Sequence, residues 1–306
     1  MRKFVLRVLA FALGVAMLGA LFLFGFAPAF PANLSSFRHL EKGLRQMRER
    51  PRGEPLLVLV GGSNVYYGIE DGLMDAAFSN RFEVVNLGFH AGLGLGRMLE
   101  DVADGVRTGD IVCLMPEYSH WTGDSWFGGA AALVYEIDYL KRPQSLFLPR
   151  RYAGLPRMGW TMYFRSKLRA LSDKGEAIGV GLKDLSRVPC EPSPKFAKER
   201  TMALDLRVLN DKALRRMSRF LADMRSRGVR VLLSAPAIDA RVFEEEREDV
   251  AALYRSLASM GCEVVSDPAD TAYPLELLFD TTYHLNSIGR TNRTVRLVRD
   301  FVNVGL

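Results

Sequence analysis

The sequence predicts an α/β chain, a three-layer sandwich built around a mainly parallel sheet. Short apolar runs bounded by glycine or turn residues, such as Leu56 to Val60 and Asp110 to Met115, read as strands buried on both faces. Stretches of helical period separate these runs, and a βαβ rhythm requires crossover helices on both faces of a parallel sheet. With 306 residues, 48% of them hydrophobic and 25% charged, the chain has ample material for one large core.

The first element is an apolar run from Phe4 to Ala27, interrupted only by Arg7. At about 1.5 Å per residue it is long enough to cross a hydrocarbon layer, and it predicts an N-terminal transmembrane helix within residues 1–30. Arg2, Lys3 and Arg7 crowd its N-terminal side, which favours a cytoplasmic N-terminus. The expected location is therefore a single pass through the inner or plasma membrane with the domain that follows extracytoplasmic. An uncleaved anchor is preferred over a signal peptide cut near Ala27-Pro28-Ala29. Residues 31–55, with Arg38, Lys42, Arg45, Arg48, Arg50 and Arg52, read as a basic juxtamembrane linker.

Residues 56–306 form the expected α/β domain. Leu56 to Val60 is its first strand, followed by a helix from Gly68 to Ala77, a strand from Phe82 to Leu87, a helix from Leu95 to Val106 and a strand from Asp110 to Met115. Between about 121 and 200 the rhythm is lost. Ala130 to Leu140 looks helical, and Leu155 to Leu171 is rich in aromatic and basic residues. This segment is expected as a helical insertion at the C-terminal edge of the sheet, where open α/β folds bind ligands. The alternation resumes with a helix from Leu206 to Arg227, a strand from Val229 to Ser234, a helix from Ala240 to Met260 and a strand from Cys262 to Ser266. Asn286 is placed to cap a final helix running to about Val302.

The net charge of +6 comes without a nucleic-acid motif, so no nucleic-acid partner is expected. The basic cluster Arg150, Arg151, Arg157, Arg165, Lys167 and Arg169 suits anionic lipid, an acidic polymer or simply solvent. Cys113, Cys190 and Cys262 are odd in number and widely spaced, which indicates neither a disulfide framework nor a zinc site. His90, His120 and Glu117 lack metal-ligand spacing, and Gly92, Gly94 and Gly96 miss the dinucleotide fingerprint by one residue. No metal and no cofactor are expected.

Two segments carry the expected chemistry. Gly61-Gly62-Ser63-Asn64 follows directly on the first strand, and a tight turn there holds a serine hydroxyl at the sheet edge. Asp280-Thr-Thr-Tyr-His284 precedes the last helix, where a histidine can take the serine proton and a carboxylate can orient the imidazole.

These segments, with Val85-Asn86-Leu87-Gly88, resemble in order and spacing the first, second and fifth sequence blocks of the SGNH (GDSL-like) hydrolase superfamily. The likeness is nearest to its membrane-anchored bacterial members. The resemblance implies a flavodoxin-like sandwich with Ser63 as nucleophile, His284 as base and Asp280 as its orienting acid. It implies Ser63 and Gly88 N–H groups as oxyanion donors. The family's aspartate stands three residues before its histidine, where this chain has Thr281. Either the loop is one residue longer with Asp280 in role, which is preferred, or Ser63 and His284 act as a dyad. The family's third donor is an asparagine after the third strand, where this chain has Met115-Pro116-Glu117-Tyr118. Asn64 or Tyr118 could substitute, and Glu117 and Tyr118 could contact substrate.

The expected function is an esterase or O-acyltransferase working through an acyl-serine, on an acylated cell-envelope glycan, with a membrane-protein partner left open. Two alternatives stand beside it. One is a lipid-directed esterase or thioesterase with Trp160, Tyr163 and Phe164 lining its access path. The other is a non-catalytic hydrolase-like module that binds or assembles partners in envelope synthesis.

Overall fold

The structure is a computed structural model that describes residues 1–21, 37–51, 53–123, 125–140, 185, 188–193, 196, 204 and 206–306. Two units are distinguished, Met1–Ser35 with Gly129–Gly181, and Ser36–Gly128 with Leu182–Leu306. In chain order the elements are α1 (Arg2–Ala20), α2 (Phe37–Glu49), β1 (Leu56–Gly61), α3 (Ser63–Gly68), α4 (Asp71–Phe78) and β2 (Glu83–Asn86). Then follow α5 (Leu95–Gly105), β3 (Ile111–Met115), α6 (Ala130–Val134), α7 (Asp211–Ser226), β4 (Arg230–Leu233), β5 (Ile238–Asp239) and α8 (Ala240–Glu245). The chain closes with α9 (Arg247–Ser259), β6 (Glu263–Val264), β7 (Ala272–Tyr273) and α10 (Ser287–Asn303).

In the first unit, α1 carries Arg2, Lys3 and Arg7 in its first two turns. Among the described residues no helix is long and apolar enough to cross a membrane, so the expected transmembrane helix is not supported. The helical backbone is described as far as Leu21, and the remainder of the expected span, residues 22–27, lies outside the described residues. So does most of the segment read as an insertion, with Trp160, Tyr163, Phe164 and the basic cluster from Arg150 to Arg169. The expected helix from Ala130 to Leu140 is found as α6 continued by a π-helical turn over Tyr135–Tyr139.

The second unit is an α/β arrangement whose main sheet has the order β2-β1-β3-β4-β6, with every pairing parallel. All six residues of β1 are buried, as its uninterrupted apolar run requires of a central strand. Leu57 and Leu59 share one core cluster with Val65, Phe78, Cys113, Met115, Leu297 and Phe301, joining β1 and β3 to α4 and α10. Because order reverses between β1 and its neighbours β2 and β3, the crevice at their C-terminal ends is the topological switch point.

Several elements differ from expectation for local reasons. Residues 37–49, within the segment read as a linker, form α2. Phe37, Leu40, Leu44 and Met47 recur at helical spacing and are buried, while Arg38, Lys42, Arg45 and Arg48 face solvent. Burying each such side chain contributes about 1.5–3 kcal/mol before ordering costs. The helix expected from Leu206 begins instead at Asp211, because the Asn210 side chain accepts from the N–H groups of Lys212 and Ala213 and fixes the start there. The helix expected over Ala240 to Met260 breaks at Glu246 into α8 and α9. Asn286 does cap α10, its side chain accepting from Gly289 N at 2.9 Å.

Candidate active site

Ser63 stands where β1 turns into α3 at the switch point. A Cβ on Gly62 would meet Glu117 Oε1 at 2.4 Å and Ala91 Cβ at 3.0 Å, so a side chain there would displace Glu117 where the chain passes between the loops after β2 and β3. Gly88 is confined in the same way, with a Cβ there falling 2.4 Å from Tyr66 N. As the first residue of α3, Ser63 has an N–H with no acceptor in its own helix.

His284 arrives on a closed loop. Phe279 N donates to His284 O at 2.8 Å, Asn286 N donates to Leu277 O at 3.0 Å, and Leu278 and Leu285 form an antiparallel bridge. This clamp holds the five residues Asp280 to His284 as a turn whose ends meet. His284 Nδ1 lies 2.7 Å from Asp280 Oδ1, and His284 Nε2 lies 2.7 Å from Ser63 Oγ. A carboxylate only accepts, so Nδ1 carries the proton and Nε2 is left to accept from the serine. Thr281 is used within the turn, its Oγ1 accepting from Tyr283 N at 3.3 Å. The four-residue spacing therefore brings Asp280, and not Thr281, to the imidazole. Tyr67, one helical turn after Ser63, packs its ring on His284 with centroids 4.2 Å apart. Its contact was not foreseen, although the spacing from Ser63 could have suggested it.

The other expected residues are placed less simply. Gly88 N donates to Asn86 Oδ1 at 2.8 Å, and the Asn86 amide donates in turn to Asp71 Oδ1 at 2.7 Å, so the Gly88 donor is already engaged. The Asn64 amide donates to Met115 O at 3.0 Å and turns toward the end of β3, leaving its Oδ1 buried without a partner. Tyr118 is fully buried with its hydroxyl unpartnered and packs on Tyr254 and Tyr283, away from any surface a substrate could reach. That burial raises its pKa well above the ordinary tyrosine value, with Arg293 opposing the shift.

Glu117 is at the reacting centre. It is buried, and its Oε1 lies 3.3 Å from Ser63 Oγ and accepts from Asn64 N at 3.4 Å. The single Ser63 proton has two acceptors in reach, and the shorter contact is to His284. His120 donates from Nε2 to Ala91 O at 3.0 Å, and His90 Nδ1 accepts from Gly92 N at 2.9 Å. Both imidazoles have lowered pKa values because burial disfavours the cation, although Glu117 pulls the other way. Among the described residues, no cluster of three or more His, Cys, Asp or Glu side chains is arranged to hold a metal ion.

No family model and no curated protein matches the chain. Among solved structures, Bacillus subtilis protein YxiM is similar at 14% identity and a TM-score of 0.43, over 84% of this chain and 59% of that one. The chain thus spans less than two thirds of YxiM. A Streptococcus pneumoniae protein, described provisionally as a platelet activating factor, is similar at 13% identity and a TM-score of 0.42, over 95% of this chain and 99% of that one. At such values neither likeness bears on side chains or chemistry.

Proposed function

We propose that this chain is a serine esterase or O-acyltransferase that works through an acyl-Ser63 intermediate. The observation that carries the reading is the unbroken hydrogen-bond chain Ser63, His284, Asp280, with both links at 2.7 Å. Ser63 Oγ attacks the ester carbonyl while its proton passes to His284 Nε2, and Asp280 steadies the imidazolium that forms. As the tetrahedral intermediate collapses, the C–O bond to the alcohol breaks and the departing oxygen takes the proton from Nε2. Water then attacks the acyl-serine in an esterase, and a sugar hydroxyl attacks it in an acyltransferase.

An O-acylated cell-envelope glycan is the substrate class we favour, with the chain held at an envelope membrane through its N-terminal segment. Supporting the membrane placement are the cationic Arg2, Lys3 and Arg7 at one end of α1 and the apolar side chains that α1 exposes, among them Phe4, Phe11 and Leu18. A second reading, a non-turnover binding module, draws on one observation. Glu117, an acceptor, stands beside Ser63 where the resemblance calls for a donor.

Fluorophosphonate labelling of the full-length chain separates the two. The catalytic reading expects labelling that disappears in Ser63→Ala and falls at least about 10³-fold in rate in His284→Ala. Folded wild-type protein that stays unlabelled, and that turns over no small acyl ester, would sink the catalytic reading and leave the binding module.

A further inference from the structure

The nucleophile, base and acid are assembled, yet the donors that should receive the negative charge are largely spent. Gly88 N is held by Asn86 Oδ1, the Asn64 amide by Met115 O, and Asn64 N points at Glu117. That leaves the Ser63 N–H. One donor is a poor oxyanion site, since removing a single donor from a preorganised pair costs about 10²–10³ in kcat.

His90 lies beside this gap. Its predecessor Phe89 donates from N to Gly61 O at 3.3 Å. Its successor Ala91 sits with Cβ 3.0 Å from the position a Gly62 Cβ would take, and Ala91 O is pinned by His120 Nε2. Phe89 is thus bonded to the two-glycine turn that presents Ser63, and Ala91 lies close against it. The residue is partly exposed. Because Gly92 N donates to Nδ1, that nitrogen is the acceptor and the ring proton must sit on Nε2. Nε2 meets no acceptor among the described residues.

Resting on the serine-hydrolase reading above, we infer that His90 is the second oxyanion donor, its Nε2–H receiving the ester carbonyl oxygen as Ser63 Oγ attacks. The Oγ–C bond forms, the carbonyl π pair moves to oxygen, the serine proton goes to His284, and His90 keeps its own proton throughout. Burial, aided by His284 and His120 and opposed by Glu117, holds the His90 pKa below its ordinary value. The ring is therefore neutral near pH 7 and offers a fixed N–H dipole.

The test compares full-length wild type, His90→Ala, His90→Gln and Ser63→Ala in fluorophosphonate labelling rate and in p-nitrophenyl acetate hydrolysis, with thermal unfolding as a check on folding. His90→Ala is expected to lower kcat and the labelling rate about 10²-fold or more with KM little changed, because the donor acts on the transition state. His90→Gln, which still offers an N–H, should recover at least about tenfold of that loss. The inference is overturned if folded His90→Ala reacts within about threefold of wild type, or if folded His90→Gln recovers nothing. Where His90→Ala does not fold, His90→Gln at or near the wild-type rate supports donation, and a dead but folded His90→Gln refutes it. Wild type that labels, with labelling lost in Ser63→Ala and folded His90→Ala labelling at the wild-type rate, refutes the role of His90 and leaves the catalytic reading standing. Unlabelled folded wild type refutes both.

Discussion

The two ends of the central sheet solve the same problem in different ways. At the N-terminal end, Asp110 accepts from Leu56 N at 2.9 Å, from Arg107 N at 2.7 Å and from Arg50 Nη2 at 2.6 Å, and the Arg50 and Asp110 side chains are each only 1% exposed. At the C-terminal end, Asp280 and His284 are 22% and 16% exposed, Ser63 has two acceptors for one proton, and His120 Nδ1 and Asn64 Oδ1 are buried without partners. A saturated carboxylate has nothing left to offer a ligand and acts as a rivet. Both ends leave buried atoms unpaired, Arg50 Nε and Nη1 at the first, so the contrast lies in the two carboxylate sites, one saturated and closed, the other partly exposed and joined to a serine proton with two acceptors in reach. The comparison predicts that substitutions at the two ends affect different observables.

The largest expected effect tests the C-terminal end. Asp280→Asn should lower kcat for acyl-ester hydrolysis by about 10⁴-fold, because the amide can present its N–H to Nδ1 and leave the wrong tautomer facing Ser63. Stability should change little, since the residue is partly exposed. Steady-state kinetics beside a urea titration reads both quantities. A loss below about tenfold would mean that Ser63 and His284 suffice as a dyad, and that Asp280 belongs with the rivets.

At the other end, Asp110→Ala should destabilise the fold by about 3–5 kcal/mol, since it leaves the Arg50 guanidinium buried and unpaired. It also frees Leu56 N and Arg107 N of their acceptor. The labelling rate of Ser63 per folded molecule should remain at the wild-type level. A drop in that rate at unchanged denaturation midpoint would show the two ends to be coupled through the sheet and would break the comparison.

How much of this was legible in the sequence follows the same division. β1 and β3 were readable because a central strand of a parallel sheet is apolar throughout, and Asn286 because a cap precedes its helix in sequence. Ser63, Asp280 and His284 were readable because each lies in a short local segment, although only the folded turn places Asp280 rather than Thr281 on the imidazole. What depends on long-range pairing was not. Arg50 looked like one more cation of a basic linker until the fold brought it to Asp110, sixty residues away. The apolar spacing of α2 was present at Phe37, Leu40, Leu44 and Met47 but was masked by the arginines between them. Asn64 and Tyr118 were plausible donors by residue type, and only the fold turns one toward Met115 and buries the other. The two-residue strands β5 and β7 carry too short a pattern to signal themselves.

The smallest expected effect sharpens the contrast through pH. His39, His90 and His120 have folded-state pKa values lowered by burial, with Asp71 opposing at His39 and Glu117 opposing at the other two. Above the unfolded value of about 6.5 both states are neutral at these positions and nothing is lost. As pH falls below it, the unfolded chain binds protons that the native histidines refuse, so stability declines by up to about 1.4 kcal/mol per pH unit for each histidine, until the native rings titrate. Urea titrations at pH 7, 6 and 5 should show this decline. His120→Gln keeps a donor for Ala91 O while removing the titrating ring, and should flatten the slope by up to that single-histidine amount. An unchanged slope in the variant would mean that the ring at position 120 is protonated in the folded protein near pH 6. The acid sensitivity would then have to come from His39 and His90, which lie near Asn86 and Glu117 at the same C-terminal end.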